Sequence, residues 1–503
     1  MNNYLIEYEI LNYEKYNKRL QTIVNNSNNK FKVTKHDNLG KTSCGFDIEH
    51  YSIGHGPIHI TYLAGAHGNE IIGVDYVTQL MQNLALGNGT FSNFDENLFT
   101  IDFIPCQNPE GFYTTTYALD SVLKNKSDLE LEKFCKKYWS QYRQDDKNVI
   151  TLNNIIKNFC VDHNLENINY KLNLLFWNIY REKSLTLKSL KEFLRNYTNV
   201  PKEQIEIYIN DTWKKNFDDI EVINNEKLHF TQFDNITIDC IPEIDESHIK
   251  LKNKIKKIYE NGDFKYNTLI NFIPNADSVN LNENNEYYFN SLKNQIENEG
   301  KVYGSLRNNH LIKSIPGPLG LPSISMDKEF EYAEENQALL NFLEKLSQDK
   351  LYFALINCHG TGGLLYLYPE ENVDNLKLEE RDFKFYINNR ISTEYTNSIG
   401  NTYKKYTGEF SPYKTMGHPD KITGFGDVLR KKYIASFILE LSKMGGNPIA
   451  PYGDRLGNYN LTMISNMEST TVLLETIKNL KHLYDTTYTI TYDSDDKVKY
   501  KIK

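Results

Sequence analysis

The sequence has few cysteines, no long apolar run and no excess of basic residues, and each absence excludes a class of protein. Its six cysteines are scattered through 503 residues without a CxxC pair, unlike the dense framework of a small secreted disulfide protein. We therefore predict a reducing, cytoplasmic location. No stretch approaches the ~20 apolar residues of a membrane span, and charges interrupt the first twenty residues, so neither a membrane helix nor an export signal is expected.

The charge balance argues against a nucleic-acid partner. Lys and Arg number 57 against 66 Asp and Glu, which gives a net charge of -9 and no general positive field for phosphates. Hydrophobic residues make up 40% of the chain, enough to bury a large core. The composition indicates a globular protein whose partners are neither nucleic acid nor membrane, and it leaves the oligomeric state open.

Short apolar runs alternate with segments of helical periodicity. The runs at 58–64, 98–104, 351–357 and 434–439 have the length of buried strands. Residues 71–84, 332–346 and 468–480 carry apolar side chains at helical spacing, which predicts three helices. Strands that alternate with helices indicate an α/β fold with a parallel or mixed sheet.

The middle of the chain differs in character from its two ends. Between residues 113 and 265 long Lys-, Asn-, Leu- and Ile-rich stretches have a helical pattern, which predicts a helical insertion with its own small core. We accordingly predict a discontinuous catalytic domain over 1–112 and 266–480. Residues 481–503 alternate apolar and polar residues around an acidic turn, which predicts a terminal hairpin.

Residues that commonly bind metals follow the four predicted strands. His67 and Glu70 come after the first strand, Asn108 after the second, His359 after the third, and Glu440 at the end of the fourth. Ligands of open α/β sheets bind outside the carboxyl ends of the strands. Two His and one carboxylate with an open position are a catalytic zinc set, and a further carboxylate can accept a proton from water. Spacing alone leaves a structural His–Glu pair open as the alternative.

Five motifs in a fixed order resemble the zinc carboxypeptidases of the funnelin type. They read HGNE (67–70), NPEGF (108–112), NLNEN (280–284), NCHGTGG (357–363) and SFILEL (436–441). The likeness covers about 300 residues, and the insertion has no counterpart in it. The resemblance implies an eight-stranded mixed sheet between helices, with a peptide or peptide-like small molecule as substrate.

The resemblance also implies roles for individual residues. His67, Glu70 and His359 would bind one zinc per chain, and Glu440 would be the general base and acid. Glu475 is the competing candidate for the base, but it lies in a helical pattern rather than on a strand. Asn108, Pro109 and Gly111 are expected to form a structural turn at the edge of the site.

The departures from the family concern the recognition of substrate. Asn282 is kept, but Glu283 stands where relatives have the Arg that holds the substrate's terminal carboxylate, and Asn69 replaces a second Arg. Two candidates remain for the Arg that stabilises the oxyanion, Arg143 and Arg307. His418 lies near the place of the family's mobile Tyr. We expect these six residues to contribute to substrate binding or, for Arg143, to catalysis.

Two other readings of the site stay open. The HGNE variant also occurs in the related aspartoacylase and succinylglutamate desuccinylase branch, whereas NPEGF and SFILEL favour the peptidase branch. The sequence therefore predicts a zinc-dependent hydrolase that cleaves an amide bond. A deacylase on the same site and a catalytically inactive binding protein of the same fold are the alternatives.

Overall fold

The computed structural model describes most of the chain. It covers residues 4–142, 147–165, 184–217, 222–224, 233–299, 317–326, 328–344, 351–367, 378–417, 424–430, 433, 435–444, 448–492 and 498–502.

The strands of the described residues fall into one large sheet and three small ribbons. In chain order they are β1 (Val33–Lys35), β2 (Gly40–Lys41), β3 (Asp47–Ile48), β4 (Tyr51–Gly54), β5 (Ile58–Ala64), β6 (Phe99–Ile104), β7 (Ser184–Thr186), β8 (Val222–Asn224), β9 (Leu351–Thr361), β10 (Leu364–Leu367), β11 (Lys414–Gly417), β12 (Ala435–Ser442), β13 (Tyr488–Tyr492) and β14 (Val498–Ile502).

The large sheet has eight strands in the order β1-β4-β6-β5-β9-β12-β10-β11. Its centre is parallel, from β6 through β5 and β9 to β12, whereas β4 joins β6 and β10 joins β12 in antiparallel fashion. The central strands β5 and β6 are buried along their whole length, as expected of parallel strands covered on both faces. The predicted eight-stranded mixed sheet is thereby confirmed.

Helices cover the sheet and make up most of the middle of the chain. In chain order they are α1 (Tyr13–Asn25), α2 (Ile71–Leu86), α3 (Pro109–Leu123), α4 (Asp128–Tyr142), α5 (Lys147–Asp162), α6 (Leu187–Tyr197), α7 (Lys202–Phe217), α8 (Glu246–Gly262), α9 (Glu286–Glu299), α10 (Glu334–Glu344), α11 (Leu378–Thr407), α12 (Phe425–Arg430) and α13 (Asn460–Thr487). None of the described helices is long and apolar enough to cross a membrane. All six cysteines are free thiols.

Alternate residues of the central strands belong to two separate hydrophobic cores. Ile60 and Tyr62 of β5 belong to the larger core, which includes residues of α2, α11 and α13. Leu63 of the same strand and Leu355 of β9 belong to the smaller core, which includes residues of α10 and α12. Neighbouring side chains of a strand point to opposite faces, so the sheet lies between two layers of helices.

Helix α2, which follows the first motif, is anchored by a buried ionic network. Asp75 is fully buried and accepts hydrogen bonds from Arg19 (2.5 Å), the hydroxyls of Tyr459 (2.6 Å) and Tyr452 (3.1 Å), and Gln79 (2.8 Å). Buried charges are tolerated when they are paired and fully hydrogen-bonded. The network therefore fixes α2 against α1 and the 452–459 segment.

The predicted domain division remains a prediction, although the structure describes the elements within it. Between residues 113 and 265 the described elements are mainly helices, with β7 and β8 as a small antiparallel ribbon. Helix α3 begins at Pro109 and runs across the predicted boundary. Near the end of the chain, β13 and β14 pair as an antiparallel hairpin.

Candidate metal centre and active site

The loop that carries His67 and Glu70 is shaped by two glycines. Gly65 follows β5 with a φ of +70°, which L side chains rarely adopt. A Cβ on Gly68 would lie 2.3 Å from the carbonyl carbon of Gly111, so no larger residue fits there. The N–H of Gly68 donates to the Ile273 carbonyl (2.9 Å). The backbone at both glycines thus fixes where the chain turns between β5 and α2.

The NPEG segment supports this loop from the side. The Asn108 carboxamide accepts the N–H of Gly111 (2.8 Å) and donates to the carbonyls of Ile273 (3.3 Å) and Ala66 (3.4 Å). Asn108 is thus the N-cap of α3, and Pro109 occupies its first turn. This arrangement agrees with the structural turn expected from the sequence.

His359 lies inside its strand rather than after it, and Glu440 lies inside its strand rather than at its end, where the sequence placed them. The predicted strands end at residues 357 and 439, but β9 continues to Thr361 and β12 to Ser442 because these two strands stay paired through that region. Glu440 is the register partner of His359 in this parallel pairing. Register partners have side chains on the same face of a sheet, so the two groups lie side by side.

The structure brings His67, Glu70 and His359 into one cluster. Glu70 lies between the two imidazoles: its Oε1 is 3.1 Å from Nδ1 of His67, and its Oε2 is 2.7 Å from Nδ1 of His359. One donor atom from each residue lies within 4.8 Å of the other two. Burial would raise the pKa of Glu70, but both imidazoles outweigh that effect and lower it below its usual value. The carboxylate is therefore ionised.

Glu440 borders this cluster as a second acid. Burial and the charge of Glu70 raise the pKa of Glu440 to about 8, against the opposing effects of His359 and a backbone hydrogen bond at Thr361. The competing candidate Glu475 is exposed on α13. Of the two carboxylates, Glu440 is the one close enough to His359 and Glu70 to interact with their charges.

The predicted substrate-binding residues fall into two groups. Asn69 is buried and lies between His67 and Glu70 in the sequence. Asn282 and Glu283 are half-buried in a turn in which the Asn280 side chain accepts the N–H of Asn282 (3.1 Å). Three more predicted residues lie outside the described part of the chain, namely Arg143, Arg307 and His418. Their roles stay predictions.

Sequence reasoning missed one polar residue beside the cluster. Asn357 precedes His359 by two positions on β9 and is only 3% exposed, and its carboxamide oxygen has no hydrogen-bond donor. The alternation of side chains along a strand would have indicated it, had the strand been extended past residue 357.

Comparisons with known proteins point to one family. A family model described as zinc carboxypeptidase matches residues 20–213, a range that includes the HGNE and NPEGF motifs and ends before His359 and Glu440. A search of curated proteins found no match.

Several solved structures are similar to the chain. Bovine thrombin-activatable fibrinolysis inhibitor, solved in complex with a tick carboxypeptidase inhibitor, is 10% identical over 94% of this chain and 99% of that chain, with a TM-score of 0.43. Carboxypeptidase A from Helicoverpa armigera is 10% identical over 94% and 74%, with a TM-score of 0.45. A metallo-carboxypeptidase from Burkholderia cenocepacia is 9% identical over 94% and 71%, with a TM-score of 0.39.

The family match covers less than half of the chain, and it includes the loop that carries His67 and Glu70. It confirms the resemblance that the order of motifs indicates: over residues 20–213 the chain is similar to the zinc carboxypeptidases.

Proposed function

We propose that this protein is a zinc-dependent hydrolase that cleaves an amide bond in a peptide or peptide-like substrate. The observation that carries the proposal is the cluster of His67, Glu70 and His359 within 4.8 Å, with Glu440 beside it on the neighbouring strand. Perturbed titratable groups that converge at one place are typical of catalytic sites.

The chemistry of the donor atoms fits a single zinc ion. Two imidazole nitrogens and one carboxylate oxygen are the three protein ligands of many catalytic zinc sites, which keep a fourth position open. His67, Glu70 and His359 would hold the ion through the two Nδ1 atoms and the Glu70 carboxylate, which already converge. When bound, zinc would supply Lewis-acid activation of water and of the substrate carbonyl.

Glu440 would be the group that transfers the proton in this reaction. Glu440 lies outside the proposed ligand set and shares a face of the sheet with His359. Because the positive charge of a bound zinc would favour its ionised form, its carboxylate could accept a proton from the attacking water. The same group would then donate that proton to the leaving amine nitrogen, which a neutral amide bond needs in order to break. Arg143 or Arg307 would stabilise the developing oxyanion, and His418 would contact the substrate.

An assay with two substrate classes tests the proposal. The zinc-loaded protein should hydrolyse blocked peptides, lose that activity on treatment with a chelator and regain it when zinc is added. N-acyl amino acids, tested in parallel, separate a peptidase from a deacylase, the alternative that the HGNE segment also fits. A protein that binds zinc yet hydrolyses neither class would be a binding protein of the same fold, and the proposal would be wrong.

A further inference from the structure

Two asparagines near the cluster differ from the other buried asparagines of the protein. Asn69 is 8% exposed and Asn357 is 3% exposed, and the carboxamide oxygen of each has no hydrogen-bond donor. Every other asparagine that is buried in the described part of the chain has a donor for its oxygen. Their donors include the backbone N–H groups of Leu5 for Asn83, Gly111 for Asn108 and Ala333 for Asn284, and the side chain of Gln107 for Asn336.

Asn357 lies on the same face of the sheet as the candidate catalytic residues. It precedes His359 by two residues on β9, and its register partner Ile438 precedes Glu440 by two residues on β12. Side chains two positions apart on a strand share a face and are separated by about 7 Å. Asn357 therefore lies on the same face as His359 and Glu440, two residues before His359 along β9.

Asn69 lies next to the cluster because it is part of the turn that carries His67 and Glu70. The N–H of Glu70 donates to the His67 carbonyl (3.2 Å), so the chain makes a tight turn in which Asn69 immediately precedes Glu70. The turn is fixed because Gly68 packs against Gly111. Asn69 thus adjoins the cluster residue Glu70 in the loop, and Asn357 lies on the same face of β9 as His359.

Asn282 adds a third oxygen of the same kind. Its carboxamide oxygen is buried and has no donor, although the residue as a whole is half-buried. Its backbone carbonyl accepts the N–H of Phe425 (2.7 Å). Phe425 packs in the smaller core with Leu63, which is the register partner of Asn357. Asn282 is therefore on the same side of the sheet as Asn357.

Buried carboxamide oxygens without a donor indicate that a bound group supplies one. More than about 90% of buried polar groups in proteins have a hydrogen-bond partner, and exceptions call for a specific reason. In the described part of the chain four buried carboxamide oxygens have no donor: those of Asn69 and Asn357 at the cluster, that of Asn282 on the same side of the sheet as Asn357, and that of Gln82 on α2. A carboxylate has only acceptor atoms and cannot donate to these oxygens, whereas an amide N–H or an ammonium group can.

We propose that Asn69 and Asn357, with Asn282 beside them, form an acceptor subsite that selects substrates with an N–H-rich group near the scissile bond. A primary carboxamide or an ammonium group fits this subsite, and a free carboxylate does not. The inference rests on the proposed function, since it defines the substrate class of the same site. The three asparagines are specificity residues, and the proton transfer still belongs to Glu440.

Binding to the zinc-loaded, full-length Glu440→Gln protein tests this subsite without hydrolysis. Two peptides of the same sequence, one with a C-terminal primary amide and one with a free acid, are titrated by calorimetry. The amide should bind about tenfold or more tightly, which corresponds to about 1.4 kcal/mol. Asn357→Leu and Asn69→Ala should each bring the ratio of the two affinities close to one. Asn397→Ala, on the exposed side of α11, should leave the ratio unchanged.

The conservative variant Asn357→Asp controls for the possibility that Asn357→Leu loses the preference only because it misfolds. Asn357→Asp keeps acceptor oxygens at this position and should retain the preference for the amide, whereas Asn357→Leu should lose it. Equal or tighter binding of the free acid would overturn the proposal. A preference for the amide that persists in both Asn69→Ala and Asn357→Leu would also overturn it, because the two asparagines would then not cause the preference and their oxygens would bind only water. Amide-selective binding without hydrolysis by the wild-type protein would overturn the proposed function only. Hydrolysis with a preference for free acids would overturn the subsite only.

Discussion

Glu440 lies directly opposite His359 on two neighbouring parallel strands, β12 and β9. The pairing puts an acid and a candidate metal-binding imidazole on the same face of the sheet. A slip of β12 by one residue would turn Glu440 to the other face, since side chains alternate along a strand. The candidate proton-transfer group is therefore placed by sheet register, which is more rigid than a loop.

Metal content is the first prediction. We expect one zinc per chain, because two imidazoles and one carboxylate make a single open site. His67→Ala and His359→Ala should each remove most of the bound zinc, as measured by elemental analysis of the purified protein. His163→Ala, a histidine that packs on Phe159 in the middle of the chain, serves as the control. Unchanged zinc in either ligand variant would refute the assignment of that ligand.

The second prediction separates two candidate bases. Glu440→Gln should lower the rate of hydrolysis by about 10²–10⁴ or more while zinc is retained, since an amide cannot accept a proton from water. Glu475→Gln is the matched control, because that residue is exposed on α13. Single-turnover rates and zinc content measured together give the answer. If Glu475→Gln is inactive and Glu440→Gln is active, our placement of the catalytic base is wrong.

The third prediction concerns the charge of Glu283, which is half-buried next to Asn282. Two like charges about 4 Å apart repel by about 4 kcal/mol at an effective dielectric constant of 20. We therefore expect Glu283→Gln to raise kcat/KM for free-acid peptides relative to amidated ones by tenfold or more. Glu286→Gln, exposed at the start of α9, should leave that ratio unchanged. Identical ratios in the wild-type and Glu283→Gln proteins would show that Glu283 does not face the substrate.

The fourth prediction is a pH dependence of stability. Asp102 on β6 is buried between His50 (3.0 Å) and His59 (2.6 Å). Burial raises the pKa of Asp102, but the hydrogen bonds and charges of the two histidines outweigh it and hold the pKa at about 2. Because the pKa is lower in the folded protein, the ionised carboxylate stabilises the fold above pH ~4, and this contribution is lost as the pH falls toward ~2.

Asp102→Asn should therefore lower the free energy of unfolding by about 2 kcal/mol at pH 7, and the difference from wild type should shrink by about 1 kcal/mol at pH 3. Urea denaturation at the two pH values measures both quantities. Asp37→Asn, at an exposed site, should show no such change. A difference between Asp102→Asn and wild type that does not depend on pH would contradict the lowered pKa.

The sequence by itself determined the central elements. The apolar run 58–64 matches both bounds of β5, and the predicted helix 71–84 matches the start of α2 and ends two residues early. A strand or helix that is buried along its length has a contiguous or periodic apolar pattern, which depends on local residues only. The order of motifs likewise indicated which His and Glu residues would converge.

The tertiary structure decided how far the strands extend and which side chains meet. His359 and Glu70 are 289 positions apart in the chain, and their contact follows from the pairing of β5 with β9. β9 and β12 continue through polar residues because each supplies the hydrogen-bond partners of the other, which no local pattern records. The unpartnered oxygens of Asn69 and Asn357 became visible for the same reason: burial and hydrogen bonding depend on residues that are distant in sequence.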